Sequence, residues 1–189
     1  MSYREEIDNI IPHLKNGGLI LYPTDTIWGI GCDACNEAAI LKVFALKKRS
    51  LDKKMVILVA DSEMLSNYVA KIHPKINSIN DYHARPVTVI YDQAKNLPAI
   101  NVDPRGTIAI RIVKDEFCQA MITALGTPII STSANISGEP FPDNFSEISQ
   151  EIKKGVNYIV RHRQNDLNKN APSVIVRLSE KGELDFLRE

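Results

Sequence analysis

The sequence lacks an excess of charge of either sign, and it lacks any long apolar run. Lysine and arginine together number 23, as do aspartate and glutamate, so bulk charge offers no extended basic face for nucleic acid or an anionic membrane. The apolar runs fall well short of the roughly 20 residues that a membrane-spanning helix needs, and the first eight residues are charged rather than apolar. We therefore expect a cytoplasmic protein without membrane contact, in which any anion site is local.

Cysteine is also scarce. Cys32, Cys35 and Cys118 cannot complete a disulfide framework, and reduced thiols suit a cytosolic compartment. Cys32 and Cys35 form a CxxC pair, but a tetrahedral zinc site needs two further ligands, and the four histidines supply no metal-binding pair on one helix face. A redox pair is the alternative, although small half-buried thiols fit the composition better. We expect no metal site built from protein ligands.

Two common nucleotide-binding signatures are missing or misplaced. There is no GxxxxGK[ST] motif, which argues against a P-loop. The segment 29–34 matches GxGxxA, but a dinucleotide fingerprint should follow its strand at once, and here residues 23–28 intervene. A Rossmann site is therefore not expected.

Apolar strands alternate with amphipathic helices along the chain, which predicts one α/β domain over residues 1–189 with a mixed sheet. The predicted helices cover 7–14, 38–46, 63–70, 75–81, 116–125 and about 145–153. The predicted strands cover 19–22, 55–59, 87–91, 107–112, 128–130, 158–160, 173–177 and 184–187. Residues 23–33 are expected to form a loop, and 93–105 and 164–171 are the loosest segments.

Hydroxyl-bearing segments follow two of these strands. The segment 131–138, of sequence STSANISG, follows an apolar strand, and the segment 23–26, of sequence PTDT, follows another. Because small polar groups at strand ends commonly meet ligands in open α/β sheets, the two segments could face one cleft. A polar turn that binds nothing is the alternative, since serine, asparagine and glycine cluster in most loops.

The candidate positive groups are a basic run and one arginine on a strand. The run 47–54 lies at the end of a predicted helix, where cations complement the negative end of the helix dipole. A solvated charged face is therefore an alternative explanation of this run. Arg111 lies within the apolar strand 107–112, where a charge needs a carboxylate or phosphate partner. Lys47, Arg49 and Arg111, together with the hydroxyls of Thr24, Ser131 and Ser133, would suit an anionic ligand.

Four blocks now resemble a known family: PTDTIWGIGCDA at 23–34, KKRS at 47–50, TIAIR at 107–111 and STSANISG at 131–138. In this order they are similar to the YrdC-like threonylcarbamoyl-AMP synthases, over nearly the whole chain. The resemblance implies a twisted sheet flanked by helices with a deep, positively charged cavity. It also implies a nucleotidyltransferase that makes threonylcarbamoyl-AMP and diphosphate from L-threonine, bicarbonate and ATP, for threonylcarbamoyladenosine modification of tRNA.

The resemblance also implies roles for single residues. Thr24, Arg111 and Ser131 match contacts to threonine. Lys47 and Arg49 match the K-x-R pair that contacts ATP phosphates and serves catalysis. The remaining matches to nucleotide contacts are Thr107, Ser133, Asn135, Ser173 and Arg188. Mg²⁺ would enter with ATP rather than through protein ligands.

The chain departs from the family pattern at a few positions. Ser50 stands where a proline usually follows the K-x-R arginine, and the segment 84–88 replaces a PGP-type turn. Val113 stands where a proline usually follows the arginine and its apolar neighbour, and Val174 stands where the sequence PST is common. These changes affect local loop shape rather than the charge pattern. Longer relatives add a C-terminal domain, so the chain resembles the short, single-domain form.

Two alternative functions remain open at this point. The same fold in a non-catalytic module could bind double-stranded RNA or tRNA, although balanced charge and 6% aromatic residues argue against it. A paralogue could instead form another acyl-adenylate. If the protein is instead a threonylcarbamoyl-AMP synthase, separate proteins would transfer the threonylcarbamoyl group to tRNA.

Overall fold

The structure is a computed structural model that describes residues 3–167, 170–179 and 181–188, with residue 81 described in its backbone only. The described helices are α1 (Tyr3–Lys15), α2 (Glu37–Leu46), α3 (Ser62–Ser66), α4 (Pro74–Tyr82), α5 (Glu116–Leu125) and α6 (Gln150–Gly155). The described strands are β1 (Ile20–Tyr22), β2 (Gly29–Gly31), β3 (Val56–Val59), β4 (Val87–Tyr91), β5 (Ile108–Ile112), β6 (Ile129–Ser133), β7 (Tyr158–Ile159), β8 (Val174–Leu178) and β9 (Leu184–Arg188). A membrane-crossing helix, long and apolar enough, does not occur among the described residues.

These strands form one mixed sheet in the order β7-β1-β2-β6-β3-β5-β4-β8-β9. The pairs β1–β7, β3–β5 and β4–β8 are parallel, and the other neighbours are antiparallel. The predicted α/β class with a mixed sheet is therefore confirmed. Because β6 pairs with β2, the segment 131–138, which begins in β6, lies beside the strand that follows the segment 23–26.

Side-chain alternation divides the apolar core between the two faces of the sheet. On β1, Leu21 packs in the cluster that includes α2, whereas Ile20 and Tyr22 pack with α1 and α5. On β3, Ile57 and Leu58 divide in the same way. Each face thus buries its own apolar set, as the period of two in a strand requires.

Side-chain caps fix the N-terminal ends of α2 and α5. Asn36 caps α2 by accepting from the backbone N–H of Ala39, and Asp115 caps α5 by accepting from that of Cys118. At the end of α5, Gly126 adopts a left-handed conformation with φ of 81°. Such caps satisfy backbone groups that a helix leaves unpaired at its ends.

Strand β2 was not predicted, because residues 23–33 were expected to form a single loop. Glycines are depleted in strands, yet Gly31 is required here since the Tyr22 ring packs directly against it. A Cβ at Gly31 would lie 2.7 Å from Cε1 of Tyr22 and 2.9 Å from Cγ2 of Ile129. The GxGxxA match therefore begins with a strand, which gives a physical reason why it is no dinucleotide loop.

Other boundaries also differ from the sequence predictions. Strand β6 continues to Ser133, so the polar segment 131–138 begins as strand rather than loop. The predicted helix at 145–153 is a short 3₁₀ turn at Phe145–Glu147 followed by α6, and α3 ends at Ser66 rather than at residue 70. In the loose segment 164–171, residues 168 and 169 lie outside the described residues.

Candidate active site

A cavity of about 1020 Å³ lies on the sheet face that α1 and α5 cover elsewhere. Strand register explains its position, because Val56 is paired with Ser131, and Leu58, on the same face, is paired with Arg111. Residues of seven strands therefore point into one space. They are Gly29, Val56, Ile90, Ala109, Arg111, Ser131, Ser133, Ile175, Arg177 and Arg188.

Basic side chains outnumber acidic ones in the cavity lining. The basic residues are Arg49, Lys54, Arg105, Arg111, Arg177 and Arg188, and the acidic ones are Asp52, Asp92 and Asp103. Burial lowers the pKa of Arg188, and the nearby charges of Arg111 and Arg85 lower it further. A cation whose pKa is lowered by neighbouring cations favours an anionic ligand beside it.

Arg111 is buried in the cavity wall, with only 4% of its surface exposed. Its Nη2 lies 3.1 Å from Oδ1 of Asp25. Among the described residues, Nε and Nη2 of Arg111 and Oδ1 of Asp25 are buried without a hydrogen-bond partner. The predicted need for a carboxylate partner is met by Asp25, yet donors of the guanidinium remain unused.

Ser131 lines the cavity beside this pair, and Tyr22 supports it from the core. The Tyr22 hydroxyl donates to the carbonyl of Ile130, the residue before Ser131, over 3.3 Å. Burial raises the pKa of Tyr22, so the phenol stays protonated. Tyr22 therefore acts as a fixed neutral partner for the strand that carries Ser131.

Lys47 is fully buried, and its ammonium does not line the cavity. Nζ donates to the carbonyl of Ser133 and, over 2.6 Å, to the carbonyl of Asn135. The backbone N–H of Ser137 returns a bond to the carbonyl of Lys47 over 2.8 Å. Burial and, secondarily, the charge of Arg49 lower the pKa of Lys47 from 10.5 to about 8. Lys47 thus ties the end of α2 to the segment that follows β6.

Arg49 brings the basic run into the cavity wall. Its Nε donates to the carbonyl of Lys53 over 2.6 Å, and its Nη2 donates to that of Lys54 over 3.0 Å. Lys48 turns away in a left-handed conformation and forms an exposed ion pair with Glu151 at 2.8 Å. Both explanations of the run therefore apply, since part of it faces the cavity and part is a solvated face.

Ser173 and Arg188 are held together at the other end of the cavity. Arg188 donates through Nε and Nη2 to the Ser173 carbonyl, at 2.9 and 2.7 Å, and through Nη2 to its hydroxyl at 3.1 Å. Thr88 shares a hydrogen bond of 2.8 Å with the same hydroxyl. Because β4, β8 and β9 are neighbours in the sheet, residues separated by a hundred positions meet here.

Thr24 lies outside the main cavity and lines a smaller pocket of about 200 Å³. Its hydroxyl donates to the carbonyl of Ile27 over 2.8 Å and accepts the N–H of Thr26 over 3.0 Å. Thr26 lines both spaces and its hydroxyl lies 2.9 Å from that of Thr24. The second threonine of PTDT, rather than the first, faces the cavity.

The structure thus brings most of the predicted site residues together, and their roles stay predictions. Those that line the cavity are Arg49, Thr107, Arg111, Ser131, Ser133, Ser173 and Arg188. Those that do not are Thr24, Lys47 and Asn135. Sequence reasoning missed Thr26, Tyr22 and Asp25. The second hydroxyl in the PTDT segment was a possible signal for Thr26, whereas the other two depend on tertiary packing.

No group of three or more metal-ligating side chains occurs in the part of the chain that the structure describes. Cys32 and Cys118 are buried, Cys35 is exposed, and all three are free thiols. Burial raises the pKa of each thiol, so none is activated as a thiolate near neutral pH. The chemistry of the site therefore centres on cations and hydroxyls.

Comparison with known proteins finds relatives of similar sequence and structures of similar fold. Threonylcarbamoyl-AMP synthase of Idiomarina loihiensis is 34% identical over 146 residues, which are 76% of this chain and 78% of that protein. The P. abyssi Sua5 structure complexed with L-threonine has a TM-score of 0.86 at 23% identity, and E. coli YciO has 0.84 at 22%. Both structural matches extend over the whole of this chain. They cover 90% of the YciO chain and 54% of the Sua5 chain, so this chain spans about half the length of that Sua5.

The two structural likenesses show the fold, and the sequence matches carry the family assignment. Residues 13–189 match the profile of the Sua5, YciO and YrdC proteins, whose description is telomere recombination. The match covers well over half of the sequence. The chain therefore belongs to the Sua5, YciO and YrdC family.

Proposed function

We propose that the protein is an L-threonylcarbamoyladenylate synthase, a nucleotidyltransferase that uses L-threonine, bicarbonate and ATP. The observation that carries the proposal is the shared cavity, in which a buried arginine with unused donors faces hydroxyls and further cations. Relatives named threonylcarbamoyl-AMP synthase, at 34% identity, support it. The Sua5 structure with L-threonine bound is consistent with an amino-acid ligand on this fold.

The proposed reaction has two steps. The threonine amine attacks the carbon of bicarbonate, water leaves, and a carbamate forms. A carbamate oxygen then attacks the α-phosphorus of ATP, the bond to the β-phosphate bridging oxygen breaks, and diphosphate leaves. Neither step needs a nucleophilic side chain, so positioning and charge stabilisation are the protein's contributions.

The cavity residues suit these contributions. Arg111 would bind the threonine carboxylate, and Ser131 or Thr26 would bind its hydroxyl. At the other side, Arg49 would contact the triphosphate. The proposed nucleotide contacts are Thr107, Ser133, Ser173 and Arg188. Lys47 and Asn135 would act through the segment after β6, and Thr24 through Thr26. A pocket that hydrogen-bonds the substrate hydroxyl can reject an analogue that lacks it by a large factor.

Mg²⁺ would accompany ATP. The donor set fits this use, because Mg²⁺ binds mostly phosphate oxygens and water with one or two carboxylates, and Asp52, Asp92 and Asp103 line the cavity. Its charge would offset repulsion between the triphosphate and the carbamate. The protein cations would hold the phosphates and carboxylate in place around it.

The product would serve threonylcarbamoyladenosine synthesis in tRNA, with separate proteins transferring the group. We propose a cytoplasmic location and a single YrdC-like domain over residues 1–189 on the same basis. Direct affinity for tRNA or double-stranded RNA is not required by this scheme.

The function can be tested with purified protein, ATP, Mg²⁺, L-threonine and bicarbonate. We expect diphosphate release that needs both threonine and bicarbonate, with serine and 2-aminobutyrate used less well. Diphosphate release with a different amino acid only would favour another acyl-adenylate. RNA binding that survives Arg49→Ala and Arg111→Ala, without nucleotide affinity, would favour an RNA-binding module.

A further inference from the structure

Asp25, in the turn between β1 and β2, is a mostly buried carboxylate beside the proposed amino-acid contact. Its side chain is 10% exposed, and its Oδ1 lies 3.1 Å from Nη2 of Arg111, whose side chain is 5% exposed. Arg111 lines the cavity, whereas Asp25 does not. The aspartate therefore approaches the guanidinium from outside the ligand space.

The pair is close but incompletely hydrogen-bonded. Within the described residues, Oδ1 of Asp25 and both Nε and Nη2 of Arg111 are buried without a hydrogen-bond partner. Such unpaired buried groups are unfavourable, and they are most unfavourable when they are charged. Arg111 therefore keeps donor capacity beyond its ion pair with Asp25, and it lines the cavity in which a carboxylate ligand would bind.

The turn that carries Asp25 is itself held by hydrogen bonds. Its two flanking threonines, Thr24 and Thr26, share a bond of 2.9 Å, and Thr24 also donates to the carbonyl of Ile27. Oδ2 of Asp25 accepts the backbone N–H of Lys114 over 3.4 Å. The carboxylate is thus fixed relative to the end of β5, three residues beyond Arg111.

A counter-charge at this position is needed because Arg111 lies among other cations. The pKa of Arg188 is lowered by burial and then by the charges of Arg111 and Arg85. Mutual repulsion would displace a long, flexible side chain, and a fixed carboxylate opposes that displacement.

We propose that Asp25 is a positioning residue, which orients Arg111 for the carboxylate of the amino-acid substrate. This inference rests on the proposed function, since it assigns Arg111 to that substrate. Asp25 acts through Arg111 and does not contact the substrate. Its loss should therefore affect use of the amino acid and leave use of ATP nearly unchanged.

The test uses Asp25→Asn, which keeps the shape of the side chain and removes its charge. Loss of a residue that supports a metal-binding side chain typically lowers affinity by about 10- to 100-fold. By analogy, loss of the support that Asp25 gives to Arg111 should raise KM for threonine by roughly tenfold or more. KM for ATP should change by less than about twofold. Asp33→Asn is the matched control, because Asp33 bonds Cys35 and Thr127 and does not line the cavity.

Two further variants separate orientation from a purely structural role. Asp25→Glu keeps the charge but moves it by one methylene, and it should give an intermediate threonine KM; it also serves if Asp25→Asn does not fold. In an Arg111→Ala background, Asp25→Asn should have no additional effect on the threonine KM. An additional effect there would overturn the proposal, because it would mean that Asp25 contacts the substrate itself.

An unchanged threonine KM in both Asp25 variants, or equal rises for threonine and ATP, would also overturn the proposal. If the unsubstituted protein releases diphosphate with threonine while these variants behave like it, only the role of Asp25 fails. If the unsubstituted protein has no such activity, the proposed function fails and the inference fails with it.

Discussion

Replacing Lys47 with methionine isolates the energetics of a buried ammonium that ties α2 to the segment after β6. Methionine has a similar length and no charge. The substitution leaves the carbonyls of Ser133 and Asn135 without their donor, at about 1–3 kcal/mol each. It also removes a buried charge. The pKa of Lys47 falls from 10.5 to about 8, and each unit corresponds to about 1.4 kcal/mol, so the burial penalty is about 3 kcal/mol.

The two contributions oppose each other near neutral pH, so the net loss of unfolding free energy should not exceed about 3 kcal/mol. Their pH dependence differs. Because the folded state releases the Lys47 proton at a lower pH than the unfolded chain, the unfolded chain binds more protons between pH 8 and 10.5. The stability contributed by Lys47 must then rise with pH across this window.

The assay is urea unfolding of both proteins at several pH values. The unfolding free energy of the unsubstituted protein minus that of Lys47→Met should increase by about 2–3 kcal/mol between about pH 7 and pH 10. Titration of the other groups is common to both proteins and cancels in the difference. A difference that stays constant with pH, or that falls, would refute the assignment of Lys47 as a buried ammonium destabilised by burial.

Further predictions concern the division of the cavity and the close packing at β2. Arg111→Ala should raise KM for threonine by about 10- to 100-fold and affect ATP less, and Arg49→Ala should do the reverse. Equal losses for both substrates in steady-state kinetics would contradict that division. Gly31→Ala should lower the unfolding free energy by about 1–3 kcal/mol, because its Cβ would lie 2.7 Å from the Tyr22 ring. Gly29→Ala, whose nearest contact is 3.2 Å, should cost less in the same urea titration, and the opposite order would contradict the packing.

Strand parity explains why much of the site could be predicted from sequence. Arg111 shares the parity of Thr107 on an apolar strand, and the predicted need of that charge for an anionic partner is confirmed by Asp25. Ser131 and Ser133 are also separated by two residues, so they occupy one face as well. The sequence predicts a loop there because serine and asparagine disfavour a continued strand, but β6 continues through both serines.

Features that depend on tertiary packing could not be predicted in the same way. Strand β2 is hidden by its glycines, and at Gly31 the Tyr22 ring fills the space that a side chain would occupy. Lys47 belongs to a basic run that resembles a solvated helix end. Only the folded chain shows that its ammonium is buried against two carbonyls.

The loop between β1 and β2 shows a further limit of pattern analysis. Thr24 and Thr26 have the same chemistry, and no strand periodicity applies to a turn. Hydrogen bonds decide between them, because Thr24 turns toward Ile27 and the smaller pocket while Thr26 also lines the cavity. The Asp25 carboxylate between them contacts Arg111, which is far away in sequence and adjacent in space.

The most direct test of the central claim follows carbon from bicarbonate into a nucleotide adduct. The purified protein would be incubated with ATP, Mg²⁺, L-threonine and isotope-labelled bicarbonate, and the products separated and identified by mass spectrometry. We predict a labelled threonylcarbamoyl-AMP, formed in equal amount to diphosphate and absent without threonine. Diphosphate released without a labelled adduct, or no threonine-dependent release under conditions in which a related synthase is active, would contradict the account.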